Sequence, residues 1–125
     1  VIAGGGGGVP IFKQDNSKGA NAVIDKDLLC SLMAEKLDAD MLVILTNVKQ
    51  AQINYNTPEA KKIGKVTLEE MKSYVEAGHF AKGSMLPKVE ASIKFVENTG
   101  KRAIITDLNN LTNALKGIDA TEIYK

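Results

Sequence analysis

The chain has 125 residues, 44% of them hydrophobic and 25% charged, the balance of one soluble globular domain that buries a core rather than of a disordered tail. Sixteen Lys+Arg against fifteen Asp+Glu leave a formal net charge of +1, so nothing drives the chain as a whole onto nucleic acid or anionic lipid. No apolar run approaches the roughly 20 residues of a membrane span. The sequence reads without a secretory leader, and its single cysteine, Cys30, forms no internal disulfide, which suits a reducing compartment.

The first residue is Val1, and the sequence reads as though it opens inside a fold. Val1-Ile2-Ala3 has the character of a strand end. It runs into Gly4 to Gly8, a loop, because five glycines lose too much backbone entropy inside an element. Val9 to Phe12 reads as a short extended piece, and Lys13 to Gly19 as a polar turn region. Asp25 opens a helix in which Leu28, Leu29, Leu32, Met33 and Leu37 recur at helical spacing, predicting one apolar inward face. Met41 to Leu45 is a continuous apolar run, the mark of a strand buried on both faces. A loop from Thr46 to Pro58 follows, with a short strand around Ile53.

Thr67-Leu68-Glu69-Glu70 is a capping box, and its helix turns Leu68, Met71, Tyr74 and Val75 inward. After a loop from Gly78 to Gly83, Ser84 is placed to cap a helix that tolerates Pro87 in its first turn. Val89, Ile93 and Val96 share one face of that helix, and Gly100 ends it. Ala103 to Ile105 predicts a buried strand. Asp107 caps a last helix with Leu108, Leu111 and Leu115, closed by Gly117, and Thr121 to Tyr124 predicts a final strand. This alternation of strand and helix predicts an α/β layer fold with a mainly parallel sheet, as one unit without repeats.

In such sheets ligands collect at the carboxyl ends of strands and at helix N-termini. Three segments there hold unusual residues. Gly4 to Gly8 suits either a flexible turn or a close approach of backbone N–H groups to an anion; it has neither a P-loop ending nor a following long helix. Asp25-Lys26-Asp27 is either a solvated helix cap or a lysine oriented by two acids toward a phosphate. Gly83-Ser84-Met85-Leu86-Pro87-Lys88 places a lysine in the first turns of a helix, which suits phosphate binding and equally a plain loop-to-helix junction. One histidine and one cysteine do not make a zinc site. His79 beside Phe80 reads as loop packing and Cys30 as inert core, while Tyr55 either stacks on a base or covers the core.

In this order, Gly-Gly-Gly-Gly-Gly-Val-Pro, Ala-Val-Ile-Asp-Lys-Asp, Leu-Val-Ile-Leu-Thr-Asn-Val, Ile-Asn-Tyr-Asn-Thr-Pro and Gly-His-Phe-Ala-Lys-Gly-Ser-Met-Leu-Pro-Lys-Val-Glu-Ala closely resemble carbamate kinase, of the amino acid kinase superfamily. The resemblance runs from Gly4 to about Tyr124. It implies a three-layer αβα sandwich with a mainly parallel open sheet, in which residues 1–125 are the C-terminal, nucleotide-binding part and the N-terminal part is absent. The family's first Gly-Gly-Asn phosphate loop and its His-Gly-Asn-Gly-Pro loop have no counterpart here.

The implied reaction is reversible phosphoryl transfer, carbamoyl phosphate plus ADP giving ATP plus carbamate, with Mg2+. The implied setting is a cytoplasmic homodimer serving arginine fermentation or related nitrogen catabolism, with no nucleic acid or membrane partner. Carried over by position, Lys26 contacts the transferring phosphoryl group, Asp27 holds the catalytic lysines, and Lys88 lies along the nucleotide phosphates. Asp25 supports that cluster. Gly4, Gly5, Gly6, Gly7 and Gly8 approach the reaction centre, with Ser84 on the phosphate side. Thr46, Asn47 and Val48, the loop to Asn56 with Tyr55, and Met85 line the adenosine pocket. Two positions depart from the family pattern: Ala51-Gln52 where Val-Tyr is common, and Asn47 where aspartate is frequent.

Overall fold

The computed structural model of the chain describes residues 1–5 and 10–125. At the centre lies a four-stranded sheet built from β3 (Met41–Thr46), β6 (Lys65–Thr67), β7 (Arg102–Asp107) and β8 (Thr121–Tyr124). Its order is β3-β7-β8-β6. The β3–β7 and β6–β8 pairs are parallel and the β7–β8 pair is antiparallel. The sheet is open and mainly parallel, as the alternation predicts.

Helices α1 (Lys26–Lys36), α2 (Leu68–Glu76) and α3 (Met85–Thr99) cover one face. Alternation along the strands decides what meets them. Leu42 and Ile44 of β3, Ala103 and Ile105 of β7, and Ile123 of β8 join Met71, Val89, Phe95 and Val96 in the main core. Ile104 points the other way, onto Ala114 and Ala120, with Met41 and Val43 beside them. A 3-10 turn (Leu108–Asn110) and the short helix α4 (Leu111–Ala114) cover that second face. The result is three layers, helix on sheet on helix. Two small antiparallel pairs sit outside the main sheet: β1 (Ile11–Phe12) with β2 (Asp15–Gly19), and β4 (Gln52–Ile53) with β5 (Lys61–Lys62). No helix among the described residues is long and apolar enough to cross a membrane.

Several expectations hold in detail. Thr67 caps α2, its hydroxyl accepting from the Glu70 N–H, and Leu68 and Met71 are buried. The Glu70 carboxylate accepts from the Tyr74 hydroxyl. Gly100 ends α3 at φ +71°, where a Cβ would be strained.

Others are corrected. Val1 to Ala3 forms no strand, and Val1 and Ile2 are exposed. Lys13 to Gly19 is not only a turn, since Asp15–Gly19 pairs with β1. In α1 the leucine stripe does not face the core: Leu28, Leu32 and Leu37 are exposed, and Ser31 is the buried residue. Helix α1 lies against α3, and the small residues Ser31, which is buried, and Ala34, which packs on the main core, form its inward side. Cys30 is consequently exposed. The segment after Asp107 starts as a 3-10 turn with Leu108 and Leu115 outward, and it buries Asn110 and Ala114 instead. Asn110 earns that place by hydrogen bonding: its amide donates to Thr106 Oγ1, Ile118 O and Asp119 O.

Candidate functional site

The loop after β3 folds back onto the sheet because Thr121 of β8 holds it there. The Ala51 N–H donates to Thr121 Oγ1 at 2.9 Å, and Thr121 Oγ1 donates to Ile63 O at 2.6 Å. Ile63 N–H in turn donates to Ala51 O at 2.8 Å. Ala51 is thereby fully buried, and residues 46–55 form one wall of a cleft at the carboxyl end of β3.

The opposite wall comes from the α2–α3 connection and the start of α3. The cleft encloses about 190 Å³. Thr46, Asn47, Val48 and Tyr55 line it on the first side, and Ser84 and Met85 on the second. All of these were singled out in the sequence. Gln50, Gln52, His79, Phe80 and Ala81 line it as well. His79 therefore does more than pack a loop, although its ring does stand edge-on to Tyr74, with centroids 6.0 Å apart. The signal for the two glutamines was period 2: with Ala51 turned into the core, its neighbours face outward.

Helix α3 leads from this cleft to a charged pair. Ser84 and Met85 border the cleft, and Lys88 follows one turn later on the same side. Lys88 Nζ lies 2.9 Å from Asp27 Oδ2 in the first turn of α1, and both side chains are 22% exposed. Asp27 is well placed by the dipole of its own helix. Lys88 is not, so the carboxylate offsets the repulsion between that ammonium and the positive end of α3.

The remaining site residues take different positions. Asp25 caps α1, its Oδ1 accepting from the Leu28 N–H at 3.0 Å. Lys26 is not clamped between the two aspartates: its Nζ donates to Ile24 O at 2.6 Å. Ser84 stands at the N-cap position of α3 without a side-chain capping bond. The N–H groups of Ser84 and Leu86 both donate to Ala81 O, and Pro87 has none, so much of this helix's first-turn donor set is already engaged. Gly4 adopts φ +86° and Gly5 φ +38°. A Cβ at Gly4 would sit 3.3 Å from Leu29 Cδ2 and 3.4 Å from Met33 Sδ, so the glycine run starts hard against α1. Gly6, Gly7 and Gly8 lie outside the described residues.

An open α/β sheet with a cleft at a strand's carboxyl end, leading to a lysine held by a carboxylate, places a ligand-sized cleft next to a cationic group, an arrangement that suits a nucleotide-binding protein of the α/β class. The chain belongs to the amino acid kinase family, whose sequence profile matches residues 1–107. Among the proteins it is similar to are carbamate kinases. That of Thermococcus kodakarensis is 50% identical over 126 residues, covering 100% of this chain and 40% of the relative. Carbamate kinase 1 of Enterococcus faecium is 54% identical over 112 residues, covering 89% of this chain and 36% of the relative. The structure of Giardia lamblia carbamate kinase bound to AMP-PNP matches with a TM-score of 0.83 at 48% identity, over 86% of this chain and 34% of that one. The chain thus spans about 40% of the length of the curated relatives it matches.

Proposed function

We propose that the protein carrying this chain is a carbamate kinase and that these residues form its nucleotide side. The reaction is reversible phosphoryl transfer, carbamoyl phosphate plus ADP giving carbamate plus ATP. The observation that carries this reading is the continuity along α3 from the cleft at Ser84 and Met85 to the Asp27–Lys88 pair. The likeness to carbamate kinases, one of them bound to AMP-PNP, supports it.

In this reading the adenosine occupies the cleft against Thr46, Asn47, Val48, Tyr55 and Met85. The phosphates run past Ser84 to Lys88. Phosphoryl transfer needs positioning and distributed positive charge more than covalent chemistry. Lys88, held by Asp27, neutralises charge as it builds on the transferring group. Among the described residues Lys26 is tethered to a backbone carbonyl two residues away and to no acid, so its ammonium is available to reach the phosphoryl group from the α1 side. Asp25 fixes the start of α1 and with it the origin of that lysine. The glycine run, Gly4 to Gly8, approaches the reaction centre from beside Leu29 and Met33. The carbamate contacts come from outside these residues.

Magnesium enters as the companion ion of the nucleotide. The described residues contain no group of three or more His, Cys, Asp or Glu side chains placed to hold a metal. Asp27 and Asp25 are both engaged. A nucleotide-borne Mg2+ takes its oxygens mainly from phosphate and water and needs at most one or two protein carboxylates, so it requires no three-acid cage from these residues, and no step here is routed through the ion. The same reading makes the full-length protein a cytoplasmic homodimer in nitrogen catabolism of the arginine-fermentation type, without nucleic acid or membrane partners.

The test is ATP formation by the full-length protein from ADP and carbamoyl phosphate, compared with acetyl phosphate and other acyl phosphates. The expected result is turnover with carbamoyl phosphate well above the others. Turnover only with a different acyl phosphate would make the protein another small-acid kinase of the family, and the proposal would fail.

A further inference from the structure

We infer that Gln52 reads the base of the nucleotide and selects a 6-aminopurine. This rests on the nucleotide reading of the cleft given above. Three carboxamide side chains line the cleft: Asn47, Gln50 and Gln52. Two of them are engaged. Asn47 Oδ1 accepts from Thr46 Oγ1 at 3.4 Å, and Gln50 Nε2 donates to Ala120 O at 3.4 Å. The half-buried Gln52 side chain makes no hydrogen bond among the described residues. A partly desolvated amide with both ends open is costly unless a ligand or water completes it.

Its backbone is rigidly placed. Gln52 pairs with Lys62 in the β4–β5 ladder. The residue before it, Ala51, is pinned into the core through Thr121 and Ile63. Alternation along the strand therefore sends the Gln52 side chain away from the core and into the cleft. The buried Phe80 and the half-buried Met85 supply apolar surface there, and the exposed Tyr55 ring stands at the edge. These surfaces suit the faces of a flat ring, with the Gln52 amide, the one of the three without a hydrogen bond among the described residues, available at its edge. A carboxamide is the two-point complement of a 6-aminopurine: Oε1 accepts from the exocyclic N6–H and Nε2 donates to the adjacent ring nitrogen.

The experiment is calorimetric titration of the full-length protein with ADP and with the diphosphate of purine riboside, which lacks only the 6-amino group. Wild type should bind ADP about tenfold tighter than the des-amino analogue, the scale of one well-made base contact. Gln52→Leu, of similar volume but without hydrogen-bonding groups, should bring the two ligands to within about twofold. Gln52→Glu keeps an acceptor for N6–H and should preserve the preference while weakening both ligands. If Gln52→Leu binds ADP with the wild-type preference intact, the inference is overturned while the nucleotide reading stands. If wild type binds neither ligand, both fail.

Discussion

Replacing Asp27 by Asn tests the charged pair at the heart of the site. The change keeps the shape of the side chain and removes its charge. Lys88 Nζ lies 2.9 Å from the carboxylate, and each side chain is 22% exposed. A fully exposed ion pair contributes about 0.2–1 kcal/mol, and a hydrogen bond to a charged group about 1.5–3 kcal/mol. A pair only one-fifth exposed falls between these ranges, so the expected loss of stability is about 1–2 kcal/mol. A folded protein has roughly 5–15 kcal/mol in hand, so the variant stays folded at room temperature. Turnover should fall further than folding does. Lys88 is then left near the positive end of α3 without a counter-charge, and misplacing a phosphate-binding group by about 1 Å costs up to about a hundredfold. The expected result is a kcat at least about tenfold below wild type, in an assay coupling ATP formation to a spectroscopic signal, with urea unfolding run in parallel. Turnover within twofold of wild type, alongside the expected stability loss, would refute the assignment of Lys88 to the reaction centre.

Other expectations follow from the same geometry. Lys26→Ala should lower kcat strongly and leave urea unfolding nearly unchanged, because among the described residues the exposed Lys26 ammonium donates one hydrogen bond, to the Ile24 carbonyl, and forms no ion pair. Phe95→Ala should cost about 3–5 kcal/mol in the same unfolding experiment, since Phe95 is fully buried between α3 and the sheet. Stability should decline in acid. A hydrogen bond from the Lys101 ammonium, with its charge, holds the Asp38 carboxyl below the ordinary carboxylate range, and the bond from Lys72 does the same for Glu97. Glu35 is lowered chiefly by the Asn98 amide. The unfolded chain therefore binds more protons than the folded one as pH falls through that range. The contribution is complete above the ordinary carboxylate values and is lost progressively as pH falls from there through the lowered folded values. Denaturation midpoints measured against pH should show that acid limb, and Asp38→Asn with Glu97→Gln should flatten it.

What could be read from the sequence divides along physical lines. Strands β3 and β7 were legible because each carries a run of apolar residues, Met41 to Leu45 and Ala103 to Ile105. The start of α2 and the end of α3 were legible because Thr67 caps a helix start and Gly100 ends a helix for local reasons. The face of α1 was not, because leucine spacing marks an apolar stripe without saying what the stripe meets. Here the inward side of α1 carries Ser31 and Ala34 instead. Likewise Asn110 is buried by bonds to carbonyls eight and nine residues ahead, which no local pattern foretells.

At the site, Thr46, Tyr55 and Met85 share the cleft, yet nothing local links Asp27 to a lysine 61 residues away. The three-residue reading of Asp25, Lys26 and Asp27 as one clamp fails for a geometric reason. Asp25 is the extended N-cap and turns its carboxylate to the backbone, and consecutive helical residues point about 100° apart, so Asp27 turns toward α3 while Lys26 faces solvent.

The central claim is that nucleotide lies in the cleft between residues 46–55 and the start of α3, with its phosphates directed at Lys88. A crystal structure of the full-length protein with AMP-PNP tests it most directly. The account predicts the adenine ring against Phe80 and Met85, its edge at Gln52, and the terminal phosphate within hydrogen-bonding distance of Lys88 Nζ. Nucleotide bound with its base outside this cleft, or with its phosphates directed away from Lys88, would contradict it.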